Sequence, residues 1–231
     1  MGSFYEFVAT LKDFLHIMFL KFPLIITGTL MILGLVSVNT AYMWVGLGSV
    51  VTFFGVYILQ LMFELLLTML PNIAGPFTVP ASSVCNILTT TSTVTRAGNY
   101  LVTPSYWVSF LLFFITYIFR NALRIYKKPP GAQATADPDT LNNRKFQAGL
   151  AMFLLVALGL AFIIMRMFFT RCETWLGAVL GAAGGAAMGY YWFEALVNCG
   201  EDRTFDLFGI LGRIMPATTT APQACIYNPD D

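Results

Sequence analysis

The sequence has few charged residues, and this scarcity excludes most soluble proteins. Charged residues make up 11% of the 231 residues and hydrophobic residues 57%, whereas an average soluble domain carries about 25% charged residues. Thirteen basic residues against twelve acidic ones leave a net charge of +1, too small for the phosphate-seeking field of a nucleic-acid-binding protein. The composition predicts an integral membrane protein that has the lipid bilayer as a partner and does not bind nucleic acid.

Residue types that carry catalysis and metal binding are also scarce. His16 is the only histidine, and a solitary histidine is more often an interfacial side chain than a metal ligand or a base. The four cysteines lack the Cys-x-x-Cys or Cys/His spacing of a metal site. The sequence has no Gly-x-Ser-x-Gly motif, phosphate-binding glycine loop, potassium-type filter or internal repeat. We therefore expect no enzymatic activity, no catalytic residues, no cofactor and no metal.

Five apolar stretches are candidates for membrane-spanning helices, because about 20 apolar residues cross about 30 Å of hydrocarbon. They are residues 22–38, 41–70, 104–125, 146–169 and 175–197. We therefore expect an all-α membrane protein, a multi-pass transmembrane helix bundle of about five spans within residues 22–199. Aromatic residues near the predicted ends favour the headgroup level; they are Tyr42, Trp44, Tyr106, Trp107, Trp175, Tyr190, Tyr191 and Trp192.

The N-terminal segment, residues 1–21, has the pattern of an amphipathic helix. Phe4 and Phe7 fall on one helical face and Glu6 falls elsewhere, which is typical of a helix lying in the membrane interface. Pro23 then permits a bend into the first span, because proline removes a backbone donor and clashes with the preceding turn. Alternatively, the two segments form one kinked helix.

Basic residues between the third and fourth spans set the expected orientation. They are Arg120, Arg124, Lys127, Lys128, Arg144 and Lys145. Such clusters mark the cytoplasmic side, which we call the inner side; they also suit anionic lipid headgroups. Five spans then place residues 78–103, residues 170–174 and the N-terminus outside, and the C-terminal tail inside.

Two longer polar segments flank the predicted spans. Residues 71–103 are rich in threonine and serine towards their centre and either pair as strands or form a loop. Residues 200–231 form a polar tail with an apolar patch at residues 207–215. This composition favours docking onto a partner protein or a membrane surface over an independent domain.

Four glycines recur at every fourth position of the last span; they are Gly177, Gly181, Gly185 and Gly189. Residues four apart share one helical face, and small residues allow close helix approach in lipid, where the hydrophobic effect no longer drives association. This glycine stripe predicts a helix-packing surface. It either joins copies in a homo-oligomer or packs within the chain's own bundle.

Ionisable side chains inside the predicted spans are Glu64, Arg166 and Glu194. Burying a charge in hydrocarbon costs at least about 2.5 kcal/mol on insertion scales, so such residues are functional candidates. Glu64 and Arg166 are predicted at similar shallow depth below the outer side and are therefore able to pair. That pair forms either an ion pathway or a structural ion pair, and the long arginine side chain can also reach the interface. We favour the structural interpretation, and extend it to Glu194 near the inner side.

The predicted topology sorts the cysteines into an outer pair, Cys85 with Cys172, and an inner pair, Cys199 with Cys225. Only one compartment is normally oxidising, so at most one of these pairs is expected to form a disulfide. The number of cysteines alone does not establish the required geometry.

Motifs in residues 175–227 carry a resemblance. They are the glycine-rich span, Tyr190-Tyr191-Trp192, Asn198-Cys199-Gly200-Glu201-Asp202, Asp206-Leu207-Phe208 and Cys225-Ile226-Tyr227. Together they resemble motifs of uncharacterised multi-pass membrane proteins of large DNA viruses. The resemblance implies residence in a virion's internal membrane or a viral assembly membrane, contacts with capsid proteins, and a structural role for Cys199 and Cys225. It implies no activity.

The leading functional hypothesis is a non-enzymatic structural or assembly membrane protein, whose bundle anchors polar loops and a tail to other membrane or capsid proteins. One alternative is a homo-oligomeric ion channel or small-solute transporter with Glu64 and Arg166 along its path. Another alternative is an accessory subunit of a large membrane complex. Such a subunit would also have a structural role, and it would differ from the leading hypothesis only in the proteins that it contacts.

Overall fold

The computed structural model describes residues 2–70, 77–80, 99–127, 138–169, 171–199 and Leu207. Most of these residues are helical, in five helices, which confirms the expected all-α class. The helices are α1 (Gly2–Ser37), α2 (Thr40–Met69), α3 (Tyr106–Lys127), α4 (Pro138–Ile164) and α5 (Trp175–Asn198). A π-helical segment, Met165–Phe169, continues α4. Strands β1 (Thr78–Pro80) and β2 (Asn99–Leu101) pair antiparallel, with Val79 opposite Tyr100.

Three helices are long and apolar enough to cross a membrane, namely Thr40–Met69, Tyr106–Arg124 and Lys145–Phe168. These three agree with predicted spans, and they are compatible with an integral membrane protein. The apolar part of α1, Lys21–Ser37, is shorter. Helix α5 is long enough, but its glycine, tyrosine and tryptophan content makes it less apolar. The first and fifth spans therefore stay predictions.

Helix α1 passes through Pro23 and forms one helix of 36 residues. The continuous helix is therefore the alternative that the structure adopts, and an interfacial position for residues 1–21 stays a prediction. Helix α1 ends where Val38 takes a left-handed conformation with φ of 52° and the Asn39 amide donates to the Gly34 carbonyl at 3.0 Å. The Asn39 side chain then accepts from the Ala41 amide at 3.0 Å and caps α2. The turn thus lies at the predicted place.

Helix α3 lies at the centre and contacts each of the other four helices. Its main core cluster is aromatic and includes side chains from α2 and α5. The buried members are Val45, Phe110, Phe113, Phe114, Tyr117, Phe193, Leu196 and Leu207. Helices α2 and α4 instead leave large apolar side chains such as Leu65 and Phe153 more than half exposed. This distribution suits a bundle whose outer helices face hydrocarbon, because lipid covers apolar side chains at no cost.

One predicted interfacial aromatic lies inside the bundle. Trp107 is fully buried and packs against Phe22 and Phe162, with ring centroids 6.4 and 6.3 Å away. Trp107 lies in the first turn of α3, and it is a core residue because Phe22 of α1 and Phe162 of α4 close over it. By contrast, Trp175 and Tyr191 are about 70% exposed, as interfacial residues would be.

Candidate functional site

The glycine stripe of α5 packs directly against α3 and the segment that precedes it. The backbone carbonyl oxygens of Val102, Ser105, Ser109 and Phe113 lie in the space that a Cβ atom would need at Gly177, Gly181, Gly185 and Gly189, respectively. A Cβ atom at Gly185 would also lie 2.7 Å from the Cα atom of Ser109, far inside van der Waals contact. The glycine stripe is therefore covered by α3 of the same chain and packs within the bundle, which leaves no room for a second copy there.

Ser105 joins the two helices at the end where α5 begins. Its amide donates to the Gly177 carbonyl at 3.0 Å, and its hydroxyl oxygen accepts from the Val108 amide at 3.2 Å. The Ser109 hydroxyl donates to the Ser105 carbonyl at 2.7 Å. These small polar side chains satisfy backbone groups without holding the helices apart, which allows the close approach at the glycines.

A buried ion pair lies next to this junction. Arg166, in the π-helical segment, donates from Nε to Glu173 Oε1 at 3.1 Å, and the two side chains are only 2% and 4% exposed. The guanidinium carbon lies 5.7 Å from the centroid of the Trp107 ring, within cation–π range. We call Arg166, Glu173, Ser105 and Trp107 the hairpin cluster. Single π-helical turns often occur at functional sites, which makes this cluster a candidate site beside the α3–α5 contact.

The carboxyl group of Glu173 is electrostatically strained. Burial raises the pKa of Glu173 above its ordinary value, because the ionised form loses its hydration, and the nearby Arg166 guanidinium and Ser105 hydroxyl lower the pKa by less than burial raises it. Oxygen Oε2 of Glu173 is buried and has no hydrogen-bond partner. An arginine remains charged whatever its surroundings. In this buried pair the arginine therefore keeps its charge, whereas the carboxyl group of Glu173 is the one that loses its charge more readily.

Further contacts fix the hairpin that carries Glu173. The Thr174 hydroxyl accepts from the Gly177 amide at 3.0 Å, which caps α5, and it lies 3.4 Å from the Thr103 hydroxyl. Cys172 is 1% exposed and disulfide-bonded. From α2, Gln60 Nε2 donates to the Pro104 carbonyl at 2.8 Å. The arrangement connects α2, α3, α4 and α5 at one end of the bundle.

The other two intramembrane charges lie elsewhere. Glu64 does not pair with Arg166; it is half-buried on α2 and has no hydrogen bond or ion pair with any residue that the structure describes. Its expected partner is instead held by Glu173. Glu194 forms an ion pair with Arg120 near the C-terminal end of α5, and the Arg120 guanidinium lies 4.6 Å from the centroid of the Tyr190 ring. Both charged side chains are about 30% exposed.

The cysteines differ in their oxidation state. Cys172 is disulfide-bonded, whereas Cys199 at the end of α5 is exposed and carries a free thiol. An inner disulfide through Cys199, which was the other alternative, is therefore not formed. Cys85 and Cys225 lie outside the described residues. Of the tail's apolar patch, only Leu207 is described, and it is buried in the bundle's own core instead of being open to a partner.

Within the ranges that the structure describes, no group of three histidine, cysteine or acidic side chains is placed to hold a metal ion. Comparisons with protein-family models, curated proteins and solved structures gave no significant match. Sequence reasoning missed Glu173 because it searched for charges inside the predicted spans, and Glu173 lies in the hairpin between two of them. The spacing of seven residues between Arg166 and Glu173 across a tight hairpin was the available signal.

Proposed function

We propose that the protein is a non-enzymatic structural membrane protein, which holds its outer hairpin and strand pair in fixed positions for other proteins. The observation that carries the proposal is the α3–α5 contact, where four glycines meet backbone carbonyl oxygens. Here the backbones of α3 and α5 are in direct contact. The two helices cannot slide or separate without losing this contact, because side chains and backbone in a close-packed interior fit together in only a few arrangements. A rigid pair of this kind suits a scaffold.

The buried polar side chains favour the same function over a pathway for ions. Ser49, Thr52 and Ser109 donate to backbone carbonyls of their own helices, and Gln60 donates to the Pro104 carbonyl. Arg166 is neutralised by Glu173. Polar side chains that form local hydrogen bonds stabilise a bundle. A conducting path instead needs polar side chains that are open to water.

The test uses two adjacent glycines of α5. Alanine at Gly185 collides with the Ser109 backbone, whereas the Cβ position at Gly184 has no atom within 4 Å. After extraction in mild detergent, we expect wild-type and Gly184→Ala protein to retain the same co-migrating proteins at fixed stoichiometry and Gly185→Ala to lose them. A wild-type protein that migrates with no other protein would contradict the scaffold role.

A channel is the second candidate, because Glu64 is half-buried in a membrane-spanning helix without a described partner. Reconstituted vesicles separate the two functions. Ion flux that disappears with Glu64→Gln would favour a homo-oligomeric channel, and vesicles that stay sealed at high protein density would contradict it. An accessory subunit of a larger complex would co-migrate with the other subunits of that complex in the extraction experiment.

The membrane of residence follows from the partners. Its assignment to a viral internal membrane rests on the C-terminal resemblance alone, and most of residues 200–231 lie outside the described part of the chain. We propose capsid proteins as partners in that setting. Mass-spectrometric identification of the co-migrating proteins tests this, and a set without capsid proteins would overturn it.

A further inference from the structure

An apolar groove runs between α1 and α2 near the turn that connects them. Its volume is about 350 Å³, at the lower end of the roughly 300–1,000 Å³ of small-molecule pockets. It is lined by Met31, Leu35, Thr40, Met43, Trp44 and Leu47. Only Thr40, at the first position of α2, brings a side-chain hydroxyl, so the wall becomes fully apolar away from the turn.

Two glycines shape the groove. A Cβ atom at Gly46 would lie 2.6 Å from the Cγ atom of Met31, and one at Gly34 would lie 2.6 Å from the Cγ atom of Met43. Each methionine therefore packs over a glycine of the opposite helix, and both methionines line the groove. Methionine is flexible and fills irregular apolar space. The space of the groove depends on the absence of side chains at these two glycines.

In a membrane, the groove would face hydrocarbon. Helix α2 is one of the three helices able to cross a membrane, and the groove opens among exposed apolar side chains of both helices, such as Ile32 and Val51. The polar turn at Asn39 lies at the end of the groove. Trp192 of α5 donates to the Trp44 carbonyl at 2.9 Å, and Glu194 of α5 pairs with Arg120, so the basic end of α3 lies at the same side of the bundle as this turn.

The size of the groove decides its occupant. From Thr40 to Leu47 the groove extends over seven residues of helix, or about 10 Å at 1.5 Å per residue. A helix with side chains is about 10–12 Å wide, too wide to enter between α1 and α2, which are already in contact where Met31 packs over Gly46 and Met43 over Gly34. Water is disfavoured by the apolar lining. A single unbranched hydrocarbon chain fits both the shape and the chemistry.

We propose that this groove binds one hydrocarbon chain of a membrane lipid, whose headgroup lies beside the α1–α2 turn. The chain lies along α2 and contacts Met31, Met43 and Trp44. Its binding comes from van der Waals contact with the groove walls, since the chain leaves hydrocarbon to enter the groove and gains no hydrophobic free energy. The proposal concerns lipid recognition and does not depend on the scaffold role.

Photolabelling in bilayer discs tests the proposal. The full chain is reconstituted in phosphatidylcholine discs that contain a small fraction of phosphatidylcholine with a diazirine in one acyl chain, irradiated, and analysed by peptide mass spectrometry. We expect labelling to be enriched on Met31, Met43 and Trp44 relative to Met62, which is exposed on the same helix outside the groove. Equal labelling of groove residues and Met62 would overturn the proposal.

Two alanine variants of α2 make the test specific. Gly46→Ala displaces the Met31 side chain, and the adjoining free space is the groove, whereas Gly55→Ala meets no atom within 4 Å. Groove labelling should fall about threefold in Gly46→Ala, the order expected from losing the contacts of a few methylenes, and stay unchanged in Gly55→Ala. Unchanged Met62 labelling checks the fold. Equal groove labelling in both variants, or crosslinking of two protein copies through the groove, would refute lipid binding there.

Discussion

Replacing Gly185 by alanine is the sharpest perturbation of this bundle. The added methyl group would lie 2.7 Å from the carbonyl carbon and the Cα atom of Ser109. These are backbone atoms, so no side-chain rotation relieves the collision, and α3 and α5 must separate by about 1 Å to restore contact at van der Waals distance. A gap of 0.5–1 Å already forfeits about a quarter to a half of the dispersion energy between facing atoms.

The expected cost follows from that separation. Overpacking a core costs about 1–3 kcal/mol and sometimes more, and we expect about 3 kcal/mol because the separation affects neighbouring glycines along the same contact. Gly184→Ala is the matched control. Its methyl group meets open space, and alanine exceeds glycine in helix propensity by about 1 kcal/mol, so this variant should equal or exceed the wild type in stability.

Thermal unfolding of the purified protein in detergent, followed by helical circular dichroism, measures the difference. A loss of about 3 kcal/mol corresponds to a midpoint lower by about 6–12 °C for a chain of this length. Gly181→Ala, whose methyl group would lie 2.7 Å from the Ser105 carbonyl oxygen, gives a second reading if Gly185→Ala does not accumulate. Equal midpoints for the Gly185 and Gly184 variants would refute the assignment of the α3–α5 contact.

Four further predictions concern other parts of the structure, and each is measured by the unfolding midpoint. Val38 is a β-branched residue with φ of 52°, so Val38→Gly should stabilise the protein by about 1 kcal/mol; a lower midpoint would contradict the strain. Arg166→Met leaves the buried Glu173 carboxylate without its cation and should cost about 3 kcal/mol, most of which a second change, Glu173→Gln, should restore; no restoration would mean that the loss is one of packing. Because burial raises the folded-state pKa of Glu173, this group contributes stability at pH below its unfolded pKa and loses it as pH rises through the folded pKa. Wild-type stability should therefore fall over that range, and Glu173→Gln should remove this part of the pH dependence; an identical slope in both would refute the shift. Cys172→Ser should lower the midpoint and abolish its sensitivity to dithiothreitol, whereas Cys199→Ser should behave as wild type; reductant sensitivity that persists without Cys172 would contradict the assignment.

Local patterns predicted the elements of this fold well. The apolar stretches at residues 22–38 and 41–70 leave Asn39 and Thr40 between them, which predicted the α1–α2 turn; the structure adds that Asn39 caps α2. The four-residue glycine period predicted a packing face on α5. Both features depend on residues close together in the sequence, so a helical repeat of 3.6 residues suffices to interpret them.

Contacts between residues far apart in the sequence were harder to predict. Similar depth in the bilayer makes Glu64 a possible partner of Arg166, but depth fixes only one coordinate, and Arg166 in the π-helical turn pairs with Glu173 of the following hairpin. Trp107 resembled an interfacial residue by its place at a helix start. It is buried because α1 and α4 close over it, which no local pattern reveals.

The sequence by itself determined that the protein is helical and membrane-compatible, where the turn between α1 and α2 lies, and which face of α5 packs closely, since these follow from hydropathy and residue spacing. Hydropathy did not reveal that α4 begins at Pro138, because its first residues are polar. Only the tertiary structure decided which surface meets that face, which acid neutralises Arg166 and where an apolar groove remains between α1 and α2. Those outcomes depend on how helices are placed around α3, and that arrangement is set by the sum of many weak contacts between residues far apart in the chain.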